Sequence, residues 1–168
     1  MNCIKAAAAI GVGSLVLGWF VYDALCKSPL GTNENLLALL GFAFVVGMSF
    51  FYAKMFSGRG ALIHTGALMA TFMSGNVFRI IVPNQRKVVA ALLAGEAPDP
   101  KYGKQAKQRS VHNNYLTLPV VFLMLSNHYP LTQTSAIIPV FVALITFSGG
   151  IIRHFFNHWH ADHTKAPW

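Results

Sequence analysis

The sequence predicts an all-α fold, a polytopic membrane helix bundle of about five transmembrane helices, and three observations predict it. Five stretches are apolar over roughly the 20 residues that, at 1.5 Å rise each, cross a hydrocarbon core of about 30 Å. The 168-residue chain is 54% hydrophobic and only 11% charged, too poor in charge to cover a water-soluble surface. Within each stretch the apolar residues surround the helix instead of forming one stripe, as lipid or a fully buried environment requires.

The expected spans are 5–25, 35–56, 61–82, 112–129 and 135–157 within a single membrane domain, 1–168. The first opens like a signal peptide, with Lys5 ahead of an alanine-rich run, but its apolar region continues through WFVY and reads as a retained helix. The fourth, HNNYLTLPVVFLMLSNHY, is the shortest and is polar at both ends. Between the third and fourth lies a basic loop, 83–111. Pro83-Asn84 reads as the start of a short interfacial helix that Gly95 closes, and the APDP stretch at 97–100 reads as a stiff break.

The net charge of +8 is carried beside the spans, so it is a topology signal and not a nucleic-acid footprint. Arg86, Lys87, Lys101, Lys104, Lys107 and Arg109 crowd the 83–111 loop. Placing that loop in the cytoplasm puts Lys27, Arg153 and Lys165 inside as well, leaves Lys5, Lys54 and Arg59 outside, and gives a count of nine to three. The N-terminus then faces out and the C-terminus in. Cys3 and Cys26 fall at opposite faces, which disfavours a disulfide, and no CxxCH is present, which excludes covalent c-type haem in this chain. Ser74-Gly75-Asn76-Val77-Phe78-Arg79 and Ser148-Gly149-Gly150-Ile151-Ile152-Arg153 share S-G-x-x-x-R, a pattern that close helix packing explains.

Polar side chains at membrane depth are costly without partners or a task. At the expected cytoplasmic ends of spans three, four and five stand Asn76, Arg79, Asn84 and Gln85, then His112, Asn113, Asn114 and Tyr115, then Arg153, His154 and Asn157. Two guanidiniums among amides and a phenol suit a small planar anion, because an arginine fork grips a delocalised anion with two hydrogen bonds. Snorkelling arginines and capping amides are the alternative reading. At the other face, His64 and His128 are the candidate ligands for haem or another metal, against two interfacial histidines bonded to backbone or water. The histidines of the tail HFFNHWHADH have only Asp162 as carboxylate support and do not read as a metal site.

The strings HTGALMATFMSGNVF, IVPNQRKVVAALLAGEAPDPK and AKQRSVHNNYLTLPVVFLMLSNHYP, with RHFFN at 153–157, closely resemble the membrane domain of the bacterial cytochrome-linked urate hydroxylase family. The resemblance implies a multi-pass protein of the bacterial inner membrane that oxidises urate to 5-hydroxyisourate and passes electrons to a c-type cytochrome domain. This chain has no haem-attachment motif and is shorter than the family's eight-helix membrane part, so the expected partners are the lipid bilayer and a separate c-type cytochrome or other membrane subunits. The alternatives are a non-catalytic or haem-carrying small subunit of a respiratory or other redox complex and, less favoured, an anion transporter, for which five short spans leave little room for two gating halves.

Overall fold

The computed structural model describes residues 2–129 and 136–163, and among them every regular element is a helix. Helix α1 (Asn2–Lys27) passes through a 3₁₀ turn, Pro29–Thr32, to α2 (Glu34–Met55). Helix α3 (Gly58–Asn76) runs through a π turn, Val77–Ile81, into α4 (Val82–Leu93). Helix α5 (Pro100–Leu125) ends in a 3₁₀ turn, Ser126–His128, and α6 (Ile138–His163) completes the described chain.

Side chains mark the helix starts. Asn33 Oδ1 accepts from the Leu36 amide at 3.1 Å, Ser57 Oγ from the Gly60 amide at 3.4 Å and Asp99 Oδ1 from the Lys101 amide at 2.8 Å. Pro100 follows Asp99 at the first helical position, where its missing N–H costs nothing. Gly95 closes α4 at φ 75°, with the Glu96 amide on Ala91 O at 2.9 Å and the Gly95 amide on Leu92 O at 3.1 Å, the paired bonds of a Schellman turn.

The structure corrects two expectations. Pro83 does not begin a separate helix. Its ring needs no hydrogen bond to the preceding turn where the π geometry has already loosened the ladder, so 58–93 is one continuous rod. The 83–111 loop is correspondingly a helical hairpin of α4 against the first turns of α5, joined by Asn84 Nδ2 donating to Gln105 Oε1 at 3.1 Å and by Lys87 over the Tyr102 ring at 4.6 Å. The helix that carries the fourth expected span, 112–129, begins at Pro100, so Lys101, Lys104 and Lys107 lie on a helical lead into it. Among the described residues, four helical stretches are long and apolar enough to cross a membrane: 5–27, 34–55, 58–93 and 138–157. Helix α5 is not one of them, because Lys101, Lys104, Lys107, Arg109 and the run His112 to Tyr115 make its first half too polar.

Helix α3 touches α1, α2 and α5, while α6 closes the bundle against α5 and α2. Tyr52, Leu62, Leu68, Met69, Phe72, Leu123, Ile138 and Val142 are wholly or almost wholly buried where these helices meet. Lipid tails are as apolar as leucine, so close backbone approach and interhelical hydrogen bonds must hold such a bundle. Both copies of the S-G-x-x-x-R pattern supply the close approach: a Cβ on Gly75 would lie 1.8 Å from Trp19 Nε1, and one on Gly149 2.8 Å from Pro119 Cδ. Ser14 Oγ and Tyr52 OH, 2.9 Å apart, supply a bond between α1 and α2.

The neighbouring glycines of α6 offer an internal control. Gly149→Ala should lower stability by about 1–3 kcal/mol, because Pro119 is ring-locked and cannot yield. Gly150 has nothing within 4 Å of its would-be Cβ, so Gly150→Ala should be neutral or slightly stabilising. Melting of the two variants in the same detergent checks the difference, and equal melting temperatures would contradict the close α5–α6 crossing.

Candidate functional site

Most of the polar residues at the basic end of the bundle gather around α5. Four consecutive residues, His112 to Tyr115, advance about 100° each and therefore leave the helix in all directions. His112 and Asn113 reach α1 and α3, and Asn114 and Tyr115 reach α6.

The first side is a closed network. Arg109, 3% exposed, donates from Nη2 to Asp23 Oδ1 at 2.6 Å and from Nη1 to Asn76 Oδ1 at 3.0 Å. Asn76 Nδ2 donates to Tyr22 OH at 3.0 Å and to Asn113 Oδ1 at 2.9 Å, and Asn113 Nδ2 donates to Met73 O at 3.0 Å. Every amide orientation here is dictated, because Arg109 can only donate and the Met73 carbonyl can only accept. The Tyr22 hydroxyl, which accepts from Asn76, also shares a hydrogen bond with His112 Nδ1 at 2.7 Å. Tyr22 stacks on Phe72 at 4.7 Å, and the Arg109 guanidinium sits 5.0 Å from the Tyr22 ring centre. Asp23 also pairs with Lys27 at 2.6 Å, so one carboxylate serves two cations and the group carries one excess positive charge. Cys26 is a free, buried thiol 4.0 Å from His112 Nδ1.

The second side is more open. Arg153 Nε donates to Asn114 Oδ1, and Tyr115 OH meets His154 Nδ1 at 2.9 Å. Asn157, half-buried, stands one turn beyond Arg153 on α6. Among the described residues only the Nε of Arg153 has a hydrogen-bond partner, so its two terminal nitrogens remain for an anion.

The expected single pocket is thus divided by the body of α5. Asn76, His112 and Asn113 lie on the α1–α3 side, and Asn114, Tyr115, Arg153 and His154 on the α6 side. Arg79 belongs to neither. The π turn carries it onto the outer side of α3, with its guanidinium 5.5 Å from the centre of the Trp19 ring. Sequence reasoning missed Tyr22 and Asp23 and counted Arg109 only as a loop charge. A lone carboxylate inside the apolar stretch 5–25 was the available signal, since such a group demands a buried cation.

His64 does not fit as an axial haem ligand. His64 Nδ1 bonds Gly60 O at 2.8 Å, its ring stacks on Phe56 at 4.2 Å, and its Nε2 packs so closely on Gly11 that a Cβ there would be 2.7 Å away. No ring nitrogen is left facing space for an axial bond to a macrocycle. His128 is exposed in the 3₁₀ turn after α5, and no group of three or more His, Cys, Asp or Glu is placed to hold a metal ion among the described residues. The side chains of Cys3, Asn127, His158 and of residues 160–163, like residues 164–168, lie outside the described part.

The urate oxidase N-terminal family matches residues 2–168, effectively the entire chain. The chain belongs to that family. No curated protein and no solved structure matches it. Membership fits an all-α membrane bundle whose polar residues are concentrated at one end, and it relates this multi-pass protein to urate hydroxylation.

Proposed function

We propose that this urate oxidase N-terminal family member is an inner-membrane redox protein that oxidises urate or a similar planar anion and passes the electrons to a c-type cytochrome on a separate chain or domain. The observation that carries the reading is the α5–α6 face, where Arg153, whose terminal nitrogens have no partner among the described residues, holds Asn114 on the same face as the Tyr115–His154 pair. A urate monoanion offers carbonyl oxygens and ring N–H groups, which guanidinium, amide and imidazole can meet. The closed network behind it holds α1, α3 and α5 in register and leaves an excess positive charge that favours an anion nearby.

The reaction balances without dioxygen. One water supplies the hydroxyl at the ring carbon, two electrons pass to the cytochrome, and two protons leave. Tyr115 and His154, in mutual hydrogen bond on this face, are placed to accept a proton from the anion or from the attacking water. No step is assigned to haem or metal within this chain.

Purified protein supplied with urate and an oxidised soluble cytochrome c should reduce the cytochrome only when urate is present. Absence of both urate binding and cytochrome reduction would favour the reading as a non-catalytic subunit of a redox complex. The charge distribution supports a cytoplasmic 83–111 hairpin, with the N-terminus outside. A cysteine at position 104 should then resist a membrane-impermeant maleimide applied to whole cells. Labelling from the periplasm would invert the orientation.

A further inference from the structure

A second feature involves none of these residues except Arg79. Along α3, Ala67, Ala70, Thr71, Ser74, Gly75, Phe78 and Arg79 follow one another at helical three- and four-residue spacing, and they face Val16, Trp19 and Phe20 of α1 across an open groove of about 630 Å³. The small side chains of α3 form the trough. From Ala67 to Arg79 it runs 12 residues, about 18 Å, close to the half-thickness of a hydrocarbon core.

The groove is apolar along its length and cationic at one end. Arg79 makes no ion pair among the described residues, and the Trp19 ring beneath it is 8% exposed. Trp19 Nε1 is buried against Gly75 without a hydrogen-bond partner, a donor that a buried site is expected to satisfy.

We infer that this groove is a binding site for one anionic phospholipid of the adjacent leaflet, its phosphate on Arg79 and one acyl chain lying between α1 and α3. Three observations select that occupant. The trough is about as long as one leaflet is deep, its single charge lies at one end, and most of its remaining lining is apolar, which a free polar solute would not need. The inference stands apart from the proposed enzymatic function and from the orientation of the chain in the membrane.

Tryptophan fluorescence tests it in the full chain carrying Trp159→Phe and Trp168→Phe, so that Trp19 alone reports. Brominated-chain phosphatidylglycerol should quench Trp19 at a roughly fivefold lower mole fraction than brominated phosphatidylcholine, the preference that one interfacial cation confers. Arg79→Gln should abolish the preference while leaving quenching by phosphatidylcholine unchanged, and Ala70→Leu, which fills the trough away from the charge, should weaken quenching by both lipids. Equal quenching by the two lipids in the Arg79 protein would overturn the inference. Relief of quenching by millimolar urate would overturn it as well, by making the groove a solute site. Unaltered melting of both variants in detergent separates lost binding from lost folding.

Discussion

Asp23→Asn should be the most damaging conservative substitution in this protein, costing about 3–5 kcal/mol of stability. The carboxylate is 6% exposed and answers the guanidinium of Arg109, which is itself 3% exposed. Removing the negative charge leaves that guanidinium buried among neutral acceptors alone, the Asn76 amide oxygen, the main-chain carbonyl of residue 23 and the amide oxygen introduced there. Arginine cannot escape by deprotonation, so the chain must distort until water reaches it. Arg109→Leu should cost about as much less the share that Lys27 recovers, since Lys27 still pairs with Asp23. The double variant Asp23→Leu/Arg109→Leu should be more stable than either single one, because no buried charge is then unpaired. Melting of the detergent-solubilised proteins measures all three. Single variants within about 0.5 kcal/mol of the wild type would mean that the pair is open to water and that the network is no structural anchor.

That pair also shows where the sequence was legible and where it was not. The long apolar helices at the first, second and fifth expected spans could be read within a few residues, because hydropathy over bilayer length follows from the absence of water partners for the backbone. The helix-closing role of Gly95 and the break before Pro100 were equally visible, each resting on local backbone chemistry. Helix α5 was misjudged for the opposite reason. Its capped start at Asp99-Pro100 and its polar composition are local and legible, but the partners that α1, α3 and α6 bring to its polar residues are not, and no local pattern carries those. The same limit applied to the polar residues. Their types and their common end of the bundle could be read from charge and span counting, but α5 places consecutive residues on opposite sides of itself, so one expected pocket became two. The π turn moved Arg79 away again, and no propensity of VFRII announces a turn of that kind. The S-G-x-x-x-R echo, in contrast, was read as close packing, and Gly75 and Gly149 do sit under Trp19 and Pro119.

Arg153→Lys should weaken binding of urate or a similar planar anion by roughly 10- to 100-fold, the loss of one charge-assisted hydrogen bond at about 1.5–3 kcal/mol. Lysine keeps the positive charge at this position, so long-range attraction of the anion survives. The fork does not survive, because an ammonium is a point donor that cannot hold Asn114 and present two coplanar N–H groups to a ligand at once. Melting should fall by much less than in the Asp23 variant, since Arg153 is only half-buried and Asn114 can turn toward other partners. Tyr115→Phe separates recognition from proton handling on the same face: it removes the hydroxyl bonded to His154 and should slow urate-dependent cytochrome reduction while the anion still binds. Equilibrium binding by calorimetry, with cytochrome reduction followed in parallel, reads both effects. If Arg153→Lys leaves anion affinity unchanged while impairing only assembly with partner subunits, the α5–α6 face is an interface instead of a substrate site.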